Sequence, residues 1–397
     1  MHATTEALLR TAEEALMYVV TRPKVVMVRG KGSYIWDRDG KRYLDFIQGW
    51  AVNCLGHCPD ALVRTLAEQA STLINGSPAL YNDRMIALAA LLTQHSCLDK
   101  AFFCSTGAEA NEGALKMARK YGATKLKGAT EVITTWNSFH GRTMAMMSAT
   151  GKEAWDKMFE PKVPGFVRVD FNNLDAAQGA VTNKTCAIMV EPIQGEGGVI
   201  VGETEYLRGL RALCDEKGIL LILDEVQTGI GRTGSLFAYS QYGIEPDIMT
   251  LGKGLGGGFP VAATLAKDAA CLFEAGEQGG TYTAQPLAMA AALAVVSEVI
   301  DKHIAKHAHE VGDALQVKLV EMGKIFDFGE VRGRGLLIAF ELPSDKGGDV
   351  VTECMKDGLL INAPRPNTIR LMPALNTSEG EIDHALAIIR RVLERVL

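Results

Sequence analysis

The chain has 397 residues, 47% of them hydrophobic and 22% charged, with a net charge of −6. These values describe a globular enzyme with core enough for one large domain and a smaller one. The acidic balance excludes an electrostatic case for nucleic acid or an anionic membrane as partner.

At the start, Glu6, Glu13 and Glu14 stand where an export signal carries basic residues and an apolar core, so a cytoplasmic chain is expected. Residues 28–46 alternate apolar and polar positions around Asp39-Gly40, the pattern of a β-hairpin. Cys54, His57 and Cys58 follow closely, but no second ligand pair accompanies them, so packed thiols are expected and no metal. The eight cysteines are scattered among apolar neighbours, which suits reduced thiols better than a disulfide framework. From residue 101 onward, strand-like runs alternate with helix-like segments. The clearest strands are residues 131–135, 186–190, 219–223 and 248–251, and this alternation predicts an α/β domain with a mainly parallel sheet covered on both faces. The apolar run 287–296 is too short to span a bilayer and reads as part of a buried helix reaching roughly to His309. His303, His307 and His309 read as a solvated face of that helix rather than a metal site. A mixed region follows and ends in an amphipathic helix over 379–397. The expected division is an N-terminal segment and hairpin over 1–50 that joins a small domain, a large domain over 51–285, and a connecting helix with a C-terminal α+β small domain over 286–397.

Ligands of open α/β sheets sit beyond the carboxyl ends of the strands. Asp224 directly follows one apolar strand, Lys253 follows another, and Thr106-Gly107-Ala108-Glu109 follows Ala101-Phe102-Phe103. An acid, an amine and a helix start are thereby placed on one rim. Thr106 and Glu109 match a capping box, and the free N–H groups of Gly107 and Ala108 suit a phosphate, although a plain helix cap fits the same residues. Lys253 lies between glycines that let a bulky adduct approach, although a lysine in a flexible glycine loop fits as well. The residues around Lys253 do not match the P-loop pattern. Gly252, Gly254 and Gly257 match G-x-G-x-x-G, but no acidic residue follows at the end of a second strand, which argues against a nicotinamide oxidoreductase. A buried Asp224 needs a cationic partner, and a pyridinium nitrogen is one such partner; a helix cap or salt bridge is another.

Five blocks carry a family resemblance: FFCSTGAEANEGALK from Phe102, SFHGRT from Ser138, VEPIQGEGG from Val190, LDEVQTGIGRTG from Leu223 and TLGKGLGGGFP from Thr250. The chain resembles the class III (subgroup II) aminotransferases over nearly its whole length. Within them it is similar to the acetylornithine aminotransferases, through the pattern Phe46-x-x-Gly-x-Ala-Val-Asn-x-Leu-Gly-His57 and the Phe139-His-Gly-Arg142 stretch. The resemblance implies a fold-type I transferase and a pyridoxal 5'-phosphate cofactor. It implies that Lys253 holds the cofactor as a Schiff base and carries the proton, with Asp224 at the pyridine nitrogen and Gln227 near the phenolic oxygen. Phe139 would stack on the ring, while Thr106, Gly107 and Ala108 hold the phosphate with Thr281 of a partner subunit in a homodimer. Arg142 would receive the substrate carboxylate, and Glu196 and Arg370 would form a pair that opens and closes between half-reactions. The implied reaction moves the terminal amino group of N-acetylornithine to 2-oxoglutarate, with a broader ω-amino-acid aminotransferase as the alternative. One segment departs from the family pattern: Gly280 replaces a serine expected to touch substrate, and Gln285 replaces an asparagine.

Overall fold

The computed structural model describes residues 4–397. A seven-stranded sheet forms the larger layer, in the spatial order Lys100–Cys104, Ala262–Ala266, Ile248–Leu251, Leu220–Asp224, Thr185–Val190, Glu131–Thr135 and Phe166–Val169. Ala262–Ala266 is antiparallel to both neighbours and the strands beyond Ile248–Leu251 pair in parallel. The central strands Thr185–Val190 and Leu220–Asp224 are buried at every position, as a sheet covered on both faces requires. Register pairs Asp224 with Thr250, so the ends of two central strands arrive side by side.

The antiparallel Ala262–Ala266 and the edge strand Phe166–Val169 are the strands that the pattern reading did not resolve. Ala-Ala-Thr-Leu-Ala lacks the β-branched and aromatic enrichment of an ordinary strand. Small residues are needed there because the helix Gly107–Lys125 lies against it: Thr264 Oγ1 donates to Ala110 O at 2.8 Å.

Residues 28–46 form more than one hairpin. Met27–Lys31, Tyr34–Asp37 and Arg42–Asp45 make an antiparallel meander, with an added reversal at Gly32-Ser33. Leu359–Leu360 pairs in parallel with its last strand, and Leu44 N donates to Gly358 O at 2.8 Å. A second four-stranded sheet, ordered Val331–Arg334, Leu337–Glu341, Thr368–Leu371 and Asn362–Arg365, continues the C-terminal part. The helix Glu379–Val396, started by a Ser378/Glu381 capping box, buries Ile382, Ile389 and Val392.

The helix expected from Leu287 to about His309 is two helices, Pro286–Asp301 and Ile304–Phe326. His303 between them is left-handed at φ 52°, which turns the chain. The histidines do not share a solvated face. His307 Nε2 bonds to Thr377 O at 2.9 Å, whereas His309 is exposed beside Asp313. No helix among the described residues is long and apolar enough to cross a membrane.

Candidate active site

The carboxyl ends of the central strands carry one polar network centred on Asp224, which is buried. Its Oδ2 accepts from Asn111 Nδ2 at 2.7 Å and lies 2.8 Å from His140 Nδ1. Opposite a carboxylate, Nδ1 carries the imidazole proton. Oδ1 accepts from Val226 N at 3.0 Å, and the Thr250 hydroxyl donates to Asn111 Oδ1 at 2.7 Å. A buried carboxylate is costly without such donors, and here they also fix its orientation. Burial pulls the His140 pKa down, but the hydrogen bond and charge of Asp224, with the charge of Glu191, outweigh it and leave it raised. Glu191 is pushed up to about 7 by burial, even though its Oε1 accepts from Phe139 N at 2.8 Å.

The expected capping box is present. Thr106 Oγ1 accepts from Glu109 N at 3.2 Å, and Glu109 Oε2 accepts from Thr106 N at 2.8 Å. The N–H groups of Gly107 and Ala108 have no acceptor among the described residues. A Cβ on Gly107 would lie 2.7 Å from Val226 Cγ1, so the close approach of helix to strand end requires glycine.

Lys253 follows Gly252 and is held at φ 43°, a sparsely populated conformation for a side-chain-bearing residue. Burial lowers its pKa, and the raising effect of Glu196 does not restore it. A cavity of about 410 Å³ is lined by Thr106, Gly107, Ala108, Asn111, Phe139, His140, Gly141, Arg142, Thr143, Glu191, Asp224, Val226, Gln227 and Lys253.

Arg370 is fully buried at the edge of this site. Its Nη1 donates to Glu196 Oε1 and to Gly195 O, each at 2.8 Å, and its Nε donates to Asn362 Oδ1 at 3.2 Å. Burial raises the Glu196 pKa, but the charges of Arg370 and Lys253 outweigh this and hold it below the usual carboxylate range. Gln227 Oε1 is 3.5 Å from Arg370 Nη1, while its buried Nε2 has no partner among the described residues. Arg142 is exposed at the mouth, with its guanidinium 5.2 Å from the Trp155 ring and no carboxylate partner among the described residues.

The Phe46–His57 pattern has a structural meaning here. Gln48, Gly49, Trp50 and Ala51 all have positive φ, a left-handed turn that costs about 1–2 kcal/mol for each residue bearing a Cβ. Asp45 holds it, its Oδ1 accepting from Ile47 N and Gln48 N at 2.9 Å each, with His57 Nε2 2.8 Å from its Oδ2. The turn sets the Trp50 ring 5.7 Å from the Arg370 guanidinium. Cys54 Sγ donates to Gly254 O at 3.2 Å, so it and His57 have separate structural partners.

Thr106, Gly107, Ala108, Phe139, Arg142, Asp224, Gln227 and Lys253 thus share one cavity, with Glu196 and Arg370 beside it. Thr281 is different. It is exposed and lines a separate surface hollow on the outer side of the Thr106–Glu109 cap. Asn111, His140, Glu191 and Thr250 were not singled out from the sequence. All four stood inside quoted blocks, and their spacing carried no signal that they converge around Asp224.

The donor set fits pyridoxal 5'-phosphate: two free N–H groups at one end for a phosphate, a fixed carboxylate at the other for a ring nitrogen, and an amine between them. The unpartnered Gln227 Nε2 adds a donor for a ring oxygen. The fold and this cavity define a fold-type I pyridoxal-phosphate-dependent enzyme. The model of the family described as "Aminotransferase class-III" matches residues 17–393. The chain is 49% identical to the acetylornithine aminotransferase of Ralstonia nicotianae, over 96% of this chain and 97% of that protein. Two solved structures are similar at 32% identity. The ornithine aminotransferase of Toxoplasma gondii, described with pyridoxal phosphate at partial occupancy in its active site, has a TM-score of 0.94, covering 99% of this chain and 95% of that one. The acetylornithine aminotransferase of Elizabethkingia anophelis has a TM-score of 0.88, covering 99% and 100%. This chain belongs to the class III aminotransferases, and its cofactor is pyridoxal 5'-phosphate.

Proposed function

We propose that the chain is a cytoplasmic homodimer that transfers the terminal amino group of N-acetylornithine to 2-oxoglutarate. The products are N-acetylglutamate semialdehyde and glutamate. The observation that carries the reading is the unequal state of two arginines. Arg142 is exposed and uncommitted, whereas Arg370 is buried and closed by Glu196 at 2.8 Å. An ω-amino donor has a distant carboxylate and none beside the reacting carbon; 2-oxoglutarate has both. Arg142 alone meets the first requirement, and Arg370 released from Glu196 adds the second. The Ralstonia relative supports N-acetylornithine as the donor.

When bound, pyridoxal 5'-phosphate supplies an electron sink for the carbon that loses a proton. The chain's residues do the rest. Asp224, oriented by Asn111 and His140, holds the proton on the pyridine nitrogen. Gly107 and Ala108 N–H would bind the phosphate, Phe139 would cover the ring, and Gln227 Nε2 would donate to the ring oxygen. Lys253 carries the cofactor and, with its lowered pKa, takes and returns the substrate proton at Nζ. Thr281 serves the phosphate of the other subunit, which makes the dimer the smallest active unit.

A donor panel with 2-oxoglutarate as acceptor tests the reading, with glutamate as the measured product. N-acetylornithine is expected to give the highest kcat/KM. A higher value for ornithine, a succinylated diamine or γ-aminobutyrate replaces the donor with the broader ω-amino-acid class.

A further inference from the structure

Lys152 belongs to none of the motifs and has no assigned role. It is half-buried beside the candidate site, and its Nζ is 5.1 Å from the Phe139 ring centroid and 5.2 Å from that of Trp155. The Arg142 guanidinium is 5.2 Å from the same Trp155 ring. Two cations therefore share one indole, and neither has a carboxylate within ion-pair distance among the described residues. An uncompensated, partly buried ammonium is held at a cost, offset here only in part by the two rings.

Glu196 packs on the same stretch of backbone as Lys152. Asn137 N donates to Gly151 O at 2.7 Å, which fixes the residue before Lys152 against the Asn137 stretch. A Cβ on Gly197 would lie 2.9 Å from Asn137 O, so the residue after Glu196 packs on that same stretch. Lys152 and Glu196 thus flank one piece of backbone. Glu196 lies in Gly195-Glu196-Gly197-Gly198, with Gly198 at φ 103°, so its neighbours in sequence carry no side chains. Its side chain is 24% exposed, whereas that of Arg370 is fully buried. The charge of Glu196 is also the first electrostatic influence that works against the burial-lowered pKa of Lys152.

Resting on the two-substrate reading above, we propose that Lys152 is the second partner of Glu196: when Arg370 turns to a substrate α-carboxylate, the Glu196 carboxylate moves to Lys152 Nζ. Glu196 then remains paired in both states, closed on Arg370 and open on Lys152. Lys152 is a positioning residue for the acceptor half-reaction, since it acts through Glu196.

The test is calorimetric binding of two unreactive acids to the holoenzyme. Glutarate needs Arg142 and an opened Arg370, whereas valerate needs Arg142 alone. Lys152→Gln is expected to weaken glutarate about five- to tenfold, the scale of a partly exposed ion pair. Valerate affinity should stay within about twofold of wild type, inside the scatter of surface contacts. Lys152→Arg is expected to restore glutarate affinity, and in a Glu196→Gln background Lys152→Gln should add no further loss. The proposal is overturned by an equal loss for both acids, which would put Lys152 on the distal carboxylate. It is also overturned by a loss that persists without Glu196, or by no loss at all. If the wild-type protein binds glutarate no more tightly than valerate, the two-carboxylate reading itself fails, and that outcome is read without any Lys152 variant.

Discussion

Replacing Glu196 with alanine removes the one carboxylate that, among the described residues, pairs with the fully buried Arg370 guanidinium. Breaking a buried pair commonly leaves about 3–5 kcal/mol uncompensated. Two features reduce that here: Arg370 keeps Gly195 O at 2.8 Å and Asn362 Oδ1 at 3.2 Å, and the Glu196 side chain is 24% exposed. About 2 kcal/mol is then a reasonable size, and a substrate α-carboxylate recovers it by taking the vacated place. The donor recovers nothing, since it has no carboxylate beside the reacting carbon. The ratio of the glutamate half-reaction to the N-acetylornithine half-reaction should rise roughly thirtyfold in Glu196→Ala. Stopped-flow measurement of both half-reactions on one preparation gives the ratio directly. An unchanged ratio refutes the gate and means that Arg370 is placed by its backbone and Asn362 contacts alone. The depressed pKa of Glu196 adds a sign. Its contribution is present above the ordinary glutamate pKa and is lost only as pH falls through the lower folded value, so the wild-type ratio should be flat across neutral pH.

Further outcomes follow from the same geometry. Borohydride reduction should fix a pyridoxyl group to the peptide containing Lys253, and Lys253→Ala should lose both that adduct and turnover by at least about a hundredfold; normal turnover would place the cofactor lysine elsewhere. Asp224→Asn should retain cofactor but slow single-turnover proton transfer on the order of a hundredfold or more, with a near-wild-type rate refuting the pairing. His140→Asn should cost stability most in acid. A raised folded pKa stabilises fully below about pH 6.5 and loses that contribution as pH rises through the folded value, so the deficit seen in urea titrations should shrink toward pH 9. Thr281→Ala should weaken cofactor binding by roughly tenfold, the scale of one hydrogen bond to a charged group, and sedimentation at assay concentration should find no fully active monomer.

The sheet's buried central strands were legible because strands covered on both faces leave continuous apolar runs between polar ends. Ala262–Ala266 was not, because packing against the helix Gly107–Lys125 selects alanine there and erases the strand signature. The break at His303 was missed for a related reason. Apolar periodicity continues through Ile304 and Ala308, and a left-handed residue without glycine leaves no composition cue. At the site, Asp224, Lys253 and the helix start at Thr106–Ala108 could be read locally. Asn111 and His140 could not, since their role depends on register between segments far apart in the chain, and Glu191, although it directly follows the strand Thr185–Val190, gave no cue to its bond with Phe139 N.

Asn111 illustrates how the site is made from that register. It lies four residues into the helix that starts at Gly107, about 6 Å along the axis. The same helix therefore presents its free N–H groups to one end of the cavity and the Asn111 amide to Asp224 at the other. The spacing between the free N–H groups and Asp224 is set by one turn of rigid helix and by the pairing of Asp224 with Thr250. On the far side, Trp50 is held near Arg370 by a left-handed turn that Asp45 stabilises from the meander, and Arg370 itself comes from the C-terminal sheet. The Asp224 network is thus built within the seven-stranded sheet and its helix, while the Glu196–Arg370 pair joins the loop after Gln194 to the C-terminal sheet. In the proposed mechanism that pair can then open without disturbing the carboxylate, amine and helix start.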